Sequence, residues 1–249
     1  MPLGLLRKAV LAAVFLLQLI PGAAWAQPFS AEQRSEIVAI LRDALKRDPS
    51  ILRDAVIALQ ADDAHAQSAA ASKVLASVGP ELTQTPGDPV AGNPQGRVTM
   101  VEFYDVRCPY CRRMLPTLAA ILKANPDLRL VYKDLPVLGP GSVLGARALL
   151  AAQKQGGYLR LHDALMAGPT AITEDVIHAD ASRLGLDWPR LSADMTAPDV
   201  LARIDANLAL AHRLGLQGTP VYIVGTTLLP GAVQLSELQD AVAATRRMN

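Results

Sequence analysis

Val98-Thr99-Met100-Val101-Glu102-Phe103-Tyr104 reads as a β-strand, and after Asp105-Val106-Arg107 the chain passes through Cys108-Pro109-Tyr110-Cys111 into a helical run opening Arg112-Arg113-Met114-Leu115. Cys108 and Cys111 are the only two cysteines in 249 residues. Two intervening residues at a helix start place both sulfurs in the first turn, where unpaired backbone N–H groups and the helix dipole stabilise a thiolate. A redox dithiol is therefore the leading reading. A structural disulfide would close a four-residue loop and contribute only roughly 2 kcal/mol, against about 4.7 for a hundred-residue loop. Half of a zinc site would need more ligands at regular spacing, whereas His65, His162, His178 and His212 are scattered. On the residues alone all three readings stay open.

The beginning of the chain reads as a secretory signal: Arg7 and Lys8 supply positive charge, residues 9–20 an apolar stretch, and Ala24-Trp25-Ala26 a small-x-small cleavage site. Cleavage is expected near Ala26, so residues 1–26 are assigned as signal peptide and the protein as periplasmic or secreted. The apolar stretch is shorter than the roughly 20 residues that span a bilayer. Export agrees with an exposed cysteine pair, because disulfides persist in oxidising compartments. Loss of Arg7 and Lys8 takes the formal charge from +1 to −1. That balance supplies no net basicity to argue for nucleic acid or an acidic membrane surface, and neither is expected as a partner.

Beyond residue 27 the chain predicts a helical segment and linker over 27–85 and a main domain over 86–249. Ser30 with Gln33 forms a capping box ahead of Ile37, Ile40, Leu41 and Leu45, and Asp48-Pro49 restarts a second helix carrying Ile51, Leu52, Val56 and Leu59. The Ala-rich stretch 61–78 continues the helical pattern. Such short helices need a packing partner, either the main domain or the same segment of another subunit. Pro and Gly residues between 79 and 96 mark the linker or an extended lead-in. After the dithiol helix, Leu128 to Tyr132 reads as a second strand, giving a βαβ unit; 139–214 is helical throughout; Val221 to Val224 is a strand with Leu228-Leu229 as its hairpin mate; and Leu235 to Arg247 closes the chain as a helix. The fold class is α/β.

Val101-Glu102-Phe103-Tyr104-Asp105 before Cys108-Pro109-Tyr110-Cys111, a long helical insertion, and Gly218-Thr219-Pro220 before a strand together resemble the DsbA-like branch of the thioredoxin superfamily. Residues 29–59 also resemble the N-terminal segment of the subgroup that includes the suppressor of copper sensitivity protein C, a segment that mediates oligomerisation in some members. The resemblance implies a thioredoxin-like fold with a helical insertion, Cys108 as nucleophile, Cys111 as resolving thiol, and Pro220 as a cis-proline presenting the Thr219 backbone to an extended substrate. Without it, a trans Pro220 starting a strand would be favoured. Pro109 and Tyr110 tune the site. Tyr110 replaces the histidine of strongly oxidising members, so the potential is left open. Glu102 either faces inward beneath the dithiol and assists proton transfer, with Lys133 as companion, or is an ordinary exposed strand residue. Arg107, Arg112 and Arg113 are expected to be mostly solvated surface charges.

The function so implied is protein disulfide exchange through a mixed disulfide, as isomerase or reductase, with a disulfide-introducing oxidase as the alternative. Expected partners are client proteins with thiols or disulfides, a membrane thiol reductase or oxidase, and a homo-oligomer through residues 29–78. Two thiolates also suit Cu(I), which keeps a copper-tolerance role as a further alternative. No nucleotide, flavin or haem signal is present, and no cofactor or metal is expected.

Overall fold

The computed structural model describes residues 29–49, 51–52, 74–75 and 77–248. The expected signal peptide, and most of the second N-terminal helix and Ala-rich stretch, lie outside the described residues. The chain divides into two compact units, Met1–Ala61 and Asp62–Asn249.

In the first unit the described helix α1 runs Ala31–Arg47. Both halves of its capping box form: the Gln33 N–H donates to Ser30 Oγ at 3.2 Å and the Ser30 N–H to Gln33 Oε1 at 2.9 Å. Arg47 and Asp43 pair one turn apart. None of its residues is buried, so Ile37, Ile40, Leu41 and Leu45 present an open apolar face.

The second unit is built on a five-stranded sheet in the order β1-β3-β2-β4-β5, with β1 Val90–Gly92, β2 Val98–Tyr104, β3 Leu128–Asp134, β4 Val221–Val224 and β5 Thr227–Pro230. Only β2 and β3 run parallel, and helix α2, Pro109–Ala124, crosses between them. A parallel pair needs such a crossover and is covered on both faces, and β2 and β3 are accordingly buried at six of seven positions each. Between β3 and β4 the chain inserts five helices: α3 Pro140–Gln153, α4 Tyr158–Ala167, α5 Glu174–Arg183, α6 Trp188–Asp194 and α7 Pro198–Arg213. Helix α8, Leu235–Met248, ends the described chain. This is a thioredoxin-like α/β fold with a helical insertion.

The strand period of two sorts the core into two sides. Met100 and Tyr104 of β2, Leu130 and Tyr132 of β3, and Tyr222 of β4 join α2, the insertion and α8 in one cluster. Val101, Phe103, Val131, Val221 and Ile223 face the other way, onto Leu210 of α7 and onto Leu75, Val78 and Leu82. The last three, from a helical stretch ahead of the Pro/Gly-rich segment, are 3–4% exposed. Burial of such side chains contributes roughly 2 kcal/mol each, so the packed body begins well before residue 86. The lead-in becomes edge strand β1, with Val90 opposite Val131.

Polar groups reinforce that second side. Lys133, 1% exposed, donates to Asp88 Oδ2 at 2.6 Å and to the Glu81 carbonyl at 2.8 Å, while Arg203 donates to Asp88 Oδ1 at 2.6 Å. Arg213 pairs with Glu81. Burial pushes Asp88 up and Lys133 down from their ordinary ranges, against the attraction between them.

Candidate active site

Cys108 is the N-cap of α2, Pro109 fills the first helical position where no N–H is required, and Cys111 lies one turn in. Both cysteines are free thiols and both are buried, at 4% and 0% exposure. Helix position thus gives the two sulfurs different surroundings: Cys108 lies at the tip with the α2 N-terminus behind it, and Cys111 points into the core. Burial raises the Cys111 thiol well above the ordinary range, helped by the nearby Glu102 charge. Cys111 therefore stays protonated until a disulfide forms at Cys108.

The Cys108 thiol donates to the Thr219 carbonyl at 3.3 Å, and the Thr219–Pro220 peptide bond is cis. Gly218-Thr219-Pro220 leads directly into β4, so the loop is held against the dithiol by a strand paired to β2. Clefts open on both sides of it. One of about 560 Å³ is lined by Tyr110, Arg113, Met114, Thr219 and Val233; another of about 420 Å³ by Leu216, Thr219, Pro220 and Leu228. Tyr110 is 54% exposed and carries the Arg113 guanidinium 4.6 Å from its ring centroid. A larger hollow of about 590 Å³ between α4 and α5 contains no cysteine. Chemistry, not volume, locates the site.

Glu102 is 1% exposed and lies opposite Tyr132 on β3 and Tyr222 on β4. The Tyr222 hydroxyl donates to Glu102 Oε1 at 3.0 Å, whereas Oε2 is buried without a partner. Burial pushes the carboxyl up to about 8 despite the Tyr222 bond. Glu102 is thus inward, the first of the two orientations open at the sequence level. Lys133 is not its companion: one residue out of step along β3, it projects from the other face to Asp88.

The raised Glu102 value has a measurable consequence. The folded protein holds this proton up to about pH 8, whereas the unfolded carboxyl, with an ordinary value of 4.5, has lost it. The native state binds more protons in that window, so Glu102 lowers stability as pH rises from about 4.5 to about 8. Glu102→Gln is expected to gain stability relative to the parent by about 1.4 kcal/mol per pH unit across the window. Urea unfolding of both proteins at pH 5 and pH 8 checks this; an equal difference at the two pH values contradicts it.

Two arginines are more enclosed than the sequence suggests. Arg112 donates to the carbonyls of Val106, Gly168, Leu165 and Pro169, at 2.6 to 3.1 Å, and Arg107 to those of Leu138 and Thr170. Asp105 accepts from the Arg107, Val137 and Leu138 N–H groups. These bonds tie the dithiol loop to the insertion. The contacts span 56 residues between Arg112 and Gly168, and no local pattern announces them.

The fold recurs in known proteins. Residues 99–243 match the DSBA-like thioredoxin domain. A thioredoxin-like oxidoreductase from Silicibacter pomeroyi DSS-3 superposes with a TM-score of 0.66 at 46% identity, over 68% of this chain and 97% of that one. Proteus mirabilis ScsC in a transitional conformation superposes with a TM-score of 0.65 at 32% identity, over 89% of this chain and 98% of that one. Among curated sequences, the Na(+)/H(+) antiporter NhaA of Herminiimonas arsenicoxydans is 30% identical over 174 residues, or 68% of this chain. The chain spans only about a quarter of the length of such curated relatives, 28% and 24% in the first two. Among the described residues no helix is long and apolar enough to cross a membrane.

Proposed function

We propose, since this chain belongs to the DsbA-like thioredoxin family, that it is a periplasmic thiol:disulfide oxidoreductase whose Cys108–Cys111 dithiol exchanges disulfides with client proteins, working as isomerase or reductase. The observation that carries this reading is the Cys108 thiol at a helix N-terminus, 3.3 Å from the carbonyl that precedes Pro220, with Cys111 one turn below. Export rests on the leader-like pattern of residues 1–26.

Cys108 thiolate attacks one sulfur of a client disulfide: the Cys108–client S–S bond forms, the client S–S bond breaks, and the electron pair leaves on the second client sulfur. Cys111 then gives up its proton and attacks Cys108. The Cys108–Cys111 bond forms and the client departs as a thiolate. A client strand pairing beside Thr219 would hold the disulfide in line. Return to the dithiol requires a membrane thiol reductase; an oxidase partner would run the cycle backward.

The open face of Ile37, Ile40, Leu41 and Leu45 supports self-association through the N-terminal segment. One sample tests both aspects: the reduction potential of the pair in glutathione buffers, with light scattering on a sizing column. A value near about −200 mV or below with an oligomer is expected. A monomer near about −120 mV would instead mark an oxidase. In the oligomer, Ile40→Asp combined with Leu41→Asp is expected to give monomers with an unchanged potential.

A further inference from the structure

Tyr104 ends β2, Asp134 ends β3 directly opposite it, and Tyr158 is the first residue of α4. Their side chains meet in the core, each residue at most 2% exposed. The Tyr104 hydroxyl lies 2.8 Å from Oδ1 of Asp134, the Tyr158 hydroxyl 2.9 Å from Oδ2, and the two hydroxyl oxygens 2.7 Å from each other. The three contacts close a ring, each at the length of an O–H···O hydrogen bond. An ionised Asp134 leaves two hydrogens for three contacts, which sets one buried pair of oxygens lone pair against lone pair. A protonated Asp134 supplies the third hydrogen, so that each member donates once and accepts once around the ring.

The surroundings favour the neutral ring. Burial pushes the Asp134 carboxyl up to about 7 against the two tyrosine contacts, and the charge of Asp88, itself paired with Lys133 and Arg203, acts in the same direction as burial. Burial also raises both tyrosine hydroxyls well above their ordinary range, so the hydrogen that leaves first is that of Asp134. From α7, Asn207 donates its amide to the Asp134 backbone carbonyl at 3.1 Å. Asp105 and Ser142 line a small hollow together with Asp134, and the Asp105 oxygens accept from the N–H groups of Arg107, Val137 and Leu138. Beside the tyrosines stand the rings of Tyr132 and His162, the latter with its Nδ1 3.0 Å from Oδ1 of Asp163.

We propose that Tyr104, Asp134 and Tyr158 are a pH-sensitive latch, which closes the helical insertion onto the sheet while Asp134 is protonated and lets the N-terminal end of α4 part from the sheet when Asp134 ionises. The other end of the same helix is held separately, where Arg112 donates to the carbonyls of Leu165 and Gly168, so the opening at Tyr158 is local. The proton passes to the water that enters, and no electrons move. The closed form keeps this proton up to about pH 7, whereas an opened and hydrated carboxyl, with an ordinary value of 3.8, has lost it. The opening equilibrium constant therefore rises with pH between those values, by about tenfold per pH unit. The latch is independent of the direction in which the dithiol cycles.

Amide hydrogen exchange of the full chain, corrected for the intrinsic rate at each pH, reads the opening of α4. Raising the pH by one unit within the acid half of the window is expected to increase the α4 opening constant about tenfold. Helix α8, which packs on α2, β2 and β4, serves as the reference and is expected to change less. Asp134→Asn, whose amide donates a hydrogen without titrating, is expected to keep the ring closed and abolish the rise. A rise that survives in Asp134→Asn belongs to another group, His162 foremost, and overturns the latch. An equal rise in α4 and α8 marks global unfolding and overturns it too. Should Asp134→Asn fail to fold, the parent protein carrying carbon-13 at its aspartate carboxyls decides by magnetic resonance. Titration of the Asp134 carboxyl near about pH 7 is expected, and titration in the ordinary acid range overturns the latch.

Discussion

Cys108→Ser is expected to reduce thiol exchange to the uncatalysed background, while Cys111→Ser leaves the first attack intact and accumulates client covalently joined at Cys108. The asymmetry follows from position. Cys108 caps the helix with its sulfur beside the Thr219 carbonyl, so it meets the client; Cys111 is fully buried, so it meets only Cys108. A serine hydroxyl keeps the hydrogen bond to Thr219 but ionises far too weakly to attack a disulfide. Insulin reduction in glutathione reads the loss, and non-reducing gels with mass spectrometry read the trapped adduct. Retention of parental activity by Cys108→Ser sinks the exchange mechanism, and trapping at Cys111 in Cys108→Ser reverses the assigned roles.

Asp88→Ala is expected to cost about 3–5 kcal/mol, because it leaves the buried Lys133 ammonium with only the Glu81 carbonyl and Thr85 hydroxyl as acceptors. The melting temperature should fall by roughly 10 °C. Lys133→Met should cost less, since Asp88 retains Arg203 at 2.6 Å and a methionine stem fills the same apolar channel. Thermal and urea unfolding of the two variants decide the order. A larger loss for Lys133→Met would mean that the salt bridge, rather than an unpaired charge, dominates. Thiol exchange should survive in both folded variants, because Lys133 and the dithiol helix lie on opposite faces of the sheet.

That separation of faces shows where one-dimensional reading stops. In an exposed sheet, alternation of polar and apolar residues tells which way each side chain points. In β2 six of seven residues are buried, so alternation is erased and Glu102 could be read either way. Lys133 reads as a companion to Glu102 for the same reason. Strand register decides it: Glu102 pairs with Tyr132, so the next residue along β3 points to the other side. Arg112 was expected in water because charged residues are rarely enclosed. The chain instead returns at 165–169 to offer it carbonyls. His162 looked isolated because its ring neighbours Tyr104 and Tyr132 belong to strands separated from it by the first part of the insertion.

The sequence by itself determined the dithiol, its place at a strand-to-helix junction, the capped N-terminal helix and the long helical insertion. Each depends on residues within a few positions of one another, through helix-terminal dipoles, capping hydrogen bonds and short-range periodicity. Tertiary structure alone decided which sulfur lies deeper, which face holds Glu102, where Lys133 finds its counter-ion and which rings surround His162. Those are questions of burial and register between segments distant in the chain, and burial is what sets the cost of a charge and hence where protons reside.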